Sequence, residues 1–301
     1  AGGMPRPTHN ETSYLPALDG LRALAVVFVV LYHLDVPGFG GGLLGVGMFF
    51  TLSGFLITSI LIGTHERTGG LNLKPADGMI TMKCDMAGAA AVIAAVRAIA
   101  DLKLKVRVTA YAAMAENMPS GTAYRPSDVL TMYGGKTVEN ANSDAEGRLV
   151  MADALVRAGE DNPDLVVDVA TLTGACVVAL GERVAGLMAS DDETADDLLD
   201  AAEASGEAFW QLPIPEEIRD NLKSEVADLA SSGKSRYGGA LTAAAFLQSF
   251  VPEGNRWAHL DIAGPAWNGG GPYDYVPTGG TGSGVRTLIS LRERNGADPL
   301  L

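Results

Sequence analysis

Two short stretches hold most of the side chains that could do chemistry. KPADGMITMKCDMAGAA (74–90) contains Lys74 and Asp85, and NSDAEGRLVMADAL (142–155) contains Asp144, Glu146 and Arg148. Asp144 and Glu146 are separated by one residue just ahead of a helix start. In an extended backbone both carboxylates would point the same way, as two ligands of one metal ion must. Other roles fit the same positions: acids there complement a helix dipole, Asp85 could be the N-cap of an Ala-rich helix, and Lys74 could be a surface lysine. A further pair lies upstream. Arg22 and His33 are eleven residues apart, about three helical turns, which puts both on one helix face about 16 Å apart along the axis. An arginine snorkelling at an interface, with a polar histidine near the other end, fits that spacing too.

The elements that must position these residues are of two kinds. From residue 69 onward, helical and strand patterns alternate. Residues 86–100, 148–157, 240–251 and 284–294 read as helices, and 105–112, 165–172 and 256–262 read as strands. Such alternation predicts an α/β fold, a mixed sheet with helices on both faces. The Gly- and Pro-rich stretch 263–284 reads as a long loop. Before residue 69 the chain is different. Residues 43–63 form a 21-residue run without charge, and about 20 such residues span a hydrocarbon core. The shorter run 23–34 is a second apolar helix candidate, so one or two membrane-type helices are expected ahead of the α/β part.

Composition sharpens that division. The 301 residues carry a net charge of -14, which would repel a polyphosphate and argues against nucleic acid as a partner. Residues 1–68 hold Arg6, Arg22 and Arg67 against Glu11, Asp19, Asp35 and Glu66. Almost all of the negative charge therefore sits after residue 68. Two cysteines, Cys84 and Cys176, are too few for a disulfide scaffold and fit a reducing, cytoplasmic setting for that later part. The expected domains are 1–68 and 69–301, with membrane association possible only through 43–63.

Particular words in each piece match known families. YLPALDGLRALAVVFVVLYH (14–33) and FFTLSGFLIT (49–58) resemble the opening of the membrane acyltransferase-3 family, which O-acylates surface polysaccharides. The resemblance implies that Arg22 and His33 are functional intramembrane residues, and that 1–68 is a fragment of such a protein. The later stretches are TGGLNLKPADGMITMKCDMAGAAAV, ENMPSG, RPSDV, NSDAEGRLVMADAL, DVATLTGAC and WAHLDIAGPAW, closed by TGSGVRTLISL. In that order, across about residues 68–294, they resemble the leucyl aminopeptidase family of peptidase M17.

That second resemblance implies a truncated M17-like catalytic domain in a two-metal exopeptidase, releasing leucine-type N-terminal residues from peptide substrates. It places Asp85, Asp144 and Glu146 at metal-ligand positions for Mn²⁺ or Zn²⁺. Lys74 falls where a lysine polarises the scissile carbonyl, and Arg148 where an arginine holds bicarbonate as general base. Thr171, Leu172 and Gly174 fall on a substrate-lining segment. A homo-hexamer is also implied. One departure is sharp: the family text GKGVTFDTGG is here LIGTHERTGG, with Ile62 and Arg67 at two ligand positions. An arginine cannot ligate, and its charge would repel a dication by several kcal/mol at an effective dielectric of about 20. The expectation is an impaired metalloaminopeptidase holding two divalent ions in the family and one at most here. The alternative is an O-acyltransferase fragment fused to a passenger domain without peptidase activity.

Overall fold

A computed structural model describes residues 76–115, 120–235 and 237–296. The chain divides into two units at Met79/Ile80. The described part of the first is residues 76–79, within the short helix Ala76–Ile80. The expected membrane-type run 43–63 and the domain boundary at 68 lie outside the described residues. Among those residues, one helical stretch, Gly78–Asp101, is long and apolar enough to cross a membrane by length and composition alone.

The second unit is built on a four-stranded mixed sheet of order β3-β7-β4-β5. Its strands are β3 (Leu165–Ala170), β4 (Ala185–Ala189), β5 (Phe209–Gln211) and β7 (Arg256–Asp261). β3 and β7 pair in parallel, β7 and β4 antiparallel, and β4 and β5 in parallel. A smaller sheet joins β1 (Val129–Thr131), β2 (Thr137–Glu139) and β6 (Leu229–Ala230).

Helices cover both faces, as the alternating pattern predicts. One face carries α2 (Glu146–Gly159) and α6 (Gly239–Gln248), which enclose Val166, Met188 and Trp257 together with Leu149, Leu155 and Phe246. The other carries α1 (Ala87–Asp101), α4 (Asp192–Ser205) and α7 (Val285–Gly296), around Val169, Leu187, Ala258 and Leu260. The period-2 alternation of a strand sends Trp257, His259 and Asp261 to the first face and Ala258 and Leu260 to the second. Two shorter helices, α3 (Gly174–Leu180) and α5 (Glu216–Asp220), complete this framework.

Three expectations are corrected. Residues 105–112 form no strand: Leu104, Val106 and Val108 are half-buried and Lys105, Arg107 and Thr109 exposed, but no described strand pairs with them. A side-chain alternation without a hydrogen-bonding neighbour leaves an extended segment, not a ladder. The helix expected from residue 148 starts two residues earlier, at Glu146. The stretch 263–284 is more than a loop, since β8 (Trp267–Asn268) and β9 (Gly279–Gly280) pair within it.

Gly88, in the first turn of α1, shows how closely that helix lies on the sheet. A Cβ at this position would sit 1.9 Å from the Val169 carbonyl oxygen and 2.9 Å from the Ala170 Cα. Gly88→Ala gains about 1 kcal/mol of helix propensity, but it forces α1 away from β3 at an overpacking cost of about 3 kcal/mol. A net loss of about 2 kcal/mol is expected in urea unfolding, and a midpoint equal to or above that of the parent chain would contradict the packing described.

Candidate active site

Thr171, Leu172 and Gly174 follow the end of β3, beside the end of β7. Ala170, the last residue of β3, lies in register with Asp261, the last of β7. Beyond it the chain runs through Thr171 and Leu172 into α3. Thr173 caps that helix, its Oγ1 accepting a hydrogen bond from the Cys176 amide at 3.0 Å. Thr171 and Leu172 are half-buried and Gly174 is exposed.

Asp261 is fully buried. Its Oδ1 accepts from the Leu172 amide at 3.2 Å, the Thr173 amide at 3.4 Å and the Ala263 amide at 3.2 Å. Its Oδ2 accepts from Thr173 Oγ1 at 2.7 Å. Burial pushes the Asp261 carboxyl above the usual range, outweighing His259 and these donors, which pull it down. Behind Asp261 on the same face, fully buried His259 places Nδ1 2.5 Å from Asp168 Oδ1, while the indole Nε1 of Trp257 donates to Asp168 Oδ2 at 2.6 Å. Among the described residues His259 Nε2 is buried without a hydrogen-bond partner. Burial alone would lower the His259 pKa, but the Asp168 carboxylate reverses this and leaves it raised.

Arg148 reaches this region from the first turn of α2. One terminal nitrogen donates to the Ser231 carbonyl at 3.0 Å, and its Nε is buried with no hydrogen-bond partner among the described residues. Burial pulls its guanidinium below the usual arginine value, against the opposing pull of Asp261 and Glu146. Asp85 is exposed at the end of the 3-10 turn Met82–Cys84, and its Oδ1 accepts from Thr171 Oγ1 at 2.7 Å. It does not cap α1, whose N-cap position is Met86.

The Asp144–Glu146 expectation needs its geometry corrected. Asp144 is exposed in a turn, with its amide donating to Asn142 Oδ1 at 3.0 Å, whereas Glu146 is the first residue of α2. The backbone between them is not extended, since Ala145 has φ -111 and ψ 34, so alternation does not align the two carboxylates. Among the described residues no group of three or more His, Cys, Asp or Glu side chains is placed to hold a metal ion. Asp85, Asp144 and Glu146 are thus not placed as one such group among the described residues. Lys74, Arg22 and His33 lie outside the described residues.

Sequence reading alone missed Asp168, His259 and Asp261. The signal was nevertheless present: LVVDVA and WAHLDI are apolar strand runs interrupted by Asp168 in the first and by His259 and Asp261 in the second, and a charge in a buried strand must have a partner. A separate shallow groove of about 420 Å³, lined by Tyr111, Tyr133, Asp153 and Arg157 among others, shares no residue with this cluster.

Comparison with known proteins gives these positions their context. The profile of the cytosol aminopeptidase family, catalytic domain (peptidase M17), matches residues 64–289. A probable cytosol aminopeptidase of Cutibacterium acnes is 65% identical over 224 residues, covering 74% of this chain and 44% of the relative. One from Streptomyces griseus is 54% identical over 279 residues, covering 88% of this chain and 54% of the relative. That coverage is more than the 233 residues from 69 to 301 can supply, so the alignment also enters residues 1–68. The chain spans about half the length of these relatives. Among solved structures, the bottromycin maturation enzyme BotP in complex with Mn is similar at 49% identity and a TM-score of 0.70, covering 76% of this chain and 51% of that one. A tomato leucine aminopeptidase mutant is similar at 44% identity and a TM-score of 0.65, covering 71% of this chain and 41% of that one. With its described sheet and helices shared with leucine aminopeptidase and three quarters of its length matched by the profile, this chain belongs to the cytosol aminopeptidase family and carries much of that family's catalytic domain.

Proposed function

We propose that this chain is a metalloaminopeptidase catalytic region that releases leucine-type N-terminal residues from peptides, impaired by the replacements at Ile62 and Arg67. The observation that carries this reading is the strand-end cluster: Asp85 hydrogen-bonds Thr171 in the segment proposed to line the substrate, with Arg148 nearby on α2. Thr171, Leu172 and Gly174 would present backbone groups to an extended peptide. The buried, unpartnered Nε of Arg148 supports its role as the holder of a small oxyanion such as bicarbonate, the proposed general base. Lys74 is proposed to polarise the scissile carbonyl.

In the family reading, Asp85, Asp144 and Glu146 bind divalent ions, Mn²⁺ or Zn²⁺, two in the family and one at most here. Among the described residues such a centre is not gathered. The match to a Mn complex supports Mn²⁺ as the first ion to try. Peptide substrates, a homo-hexameric assembly and a cytoplasmic location for the aminopeptidase part belong to the same proposal.

The words at 14–33 and 49–58 support an acyltransferase-3-like fragment with Arg22 and His33 as its site, and 43–63 as a route to membrane association. The Streptomyces griseus alignment that enters residues 1–68 weighs against a sharp boundary at 68. The test is hydrolysis of leucine amide by the purified chain with Mn²⁺. About 0.1 per second or less is expected, lost on chelation, against an ordinary enzyme rate on the order of 10 per second. The ordinary rate would overturn the impairment, and no hydrolysis at any enzyme concentration would overturn the aminopeptidase reading.

A further inference from the structure

Asp261 is fully buried, and both of its carboxylate oxygens are turned toward the segment between β3 and α3. Three of its four hydrogen bonds come from Leu172 and Thr173, and the fourth comes from Ala263 at the start of the following loop. Thr173 passes the restraint on, because the hydroxyl that donates to Asp261 also accepts from the Cys176 amide and so fixes the first turn of α3. At the head of the same segment, Thr171 donates to Asp85. The segment 171–174 is thus held by a buried carboxylate through Leu172 and Thr173 and meets Asp85 through Thr171. A carboxylate accepting from backbone amides in a dry site is a directional restraint that neither an apolar side chain nor an amide can reproduce.

Resting on the aminopeptidase reading, we propose that Asp261 is a positioning residue for that reaction, setting the backbone of residues 171–174 at the height where it meets the substrate. It acts through Leu172 and Thr173 and does not touch the substrate itself. An amide in its place must turn its NH₂ toward either Thr173 Oγ1 or the Leu172–Thr173 amides, so one set of donors loses its acceptor.

The experiment compares the full chain with its Asp261→Asn variant in two ways. Amide hydrogen exchange is expected to speed up about tenfold or more at Leu172, Thr173 and Ala263, while the amides of α4 keep their parent rates. With leucine amide as the probe, KM is expected to rise fivefold or more with kcat changed by less than twofold. Loss of folded protein alone would lower kcat and leave KM unmoved. Unchanged exchange at those three amides, or faster exchange with both kinetic constants unchanged, would overturn the proposal. If the parent hydrolyses no leucine amide, the aminopeptidase reading fails, while the exchange result still decides whether Asp261 anchors the segment. Should Asp261→Asn not fold, Thr173→Val is expected to give the same local rise in exchange and Thr173→Ser to retain the parent protection. Equal exchange in those two variants would overturn the proposal as well.

Discussion

Asp168→Asn is expected to destabilise the chain by about 3 kcal/mol, the scale set by breaking a buried ion pair. Both Asp168 oxygens are engaged, one by His259 and one by Trp257, and the two partners are fully buried side chains of β7. An asparagine can satisfy at most one of them as an acceptor and removes the charge that holds the His259 pKa up against burial. The groups facing His259 are Asp168 and Asp261, which raise its pKa, and Arg148, which lowers it. Because the folded-state pKa of His259 is raised, its contribution to stability is fully present below its unfolded value of about 6.5. That contribution is lost as pH rises through the folded value. The stability gap between parent and variant should therefore be widest below about pH 6.5 and narrow as pH rises above it. Urea unfolding of both proteins across that range checks this, and a gap that widens with pH would contradict it.

The second large effect concerns chemistry. Replacing Ile62 by Lys and Arg67 by Asp together restores the ligand side chains that the family text carries at these positions, in a stretch outside the described residues. In the family reading, losing a guanidinium from a ligand position would relieve a repulsion of several kcal/mol at an effective dielectric of about 20, and a carboxylate there would add an attraction of similar size. Each 1.4 kcal/mol is a factor of ten, so leucine-amide turnover is expected to rise at least a hundredfold over the parent chain. Unchanged turnover at full folding would mean that the defect lies elsewhere, in the sheet neighbours and not in the ligands.

The framework was readable where apolar runs are long and flanked by turns. LVVDVA and RWAHLD became β3 and β7, and the Ala-rich run became α1, because burial on one or both faces writes itself into hydrophobic spacing. β4, AGLMA, escaped notice because Ala, Gly and Met carry no strand preference of their own; its place comes from pairing with β7 and β5. α4 was also missed, although Asp191 caps its start and Gly206 ends it in the left-handed region. Arg148 and residues 171–174 were picked out through the family words; Arg148 lies in the first turn of α2, and 171–174 lead from the end of β3 into α3. The arrangement of Asp144 and Glu146 was not, because a spacing of two aligns side chains only in extended backbone and the helix starts at Glu146 itself. Asp168, His259 and Asp261 were passed over because a single polar letter in an apolar run does not reveal its partner. Asp168 and His259 meet across neighbouring strands 91 positions apart, and Asp261 meets Thr173, the cap of α3, 88 positions away.

The reading proposed above is that this chain keeps the scaffold of the aminopeptidase catalytic domain with an incomplete two-metal site. Its most direct test is elemental analysis after dialysis of the purified chain against Mn²⁺ and then against metal-free buffer, with the Ile62→Lys, Arg67→Asp variant alongside. At most one weakly held ion per parent chain, and more in the repaired variant, is the predicted result. Two ions retained tightly by the parent chain would contradict it.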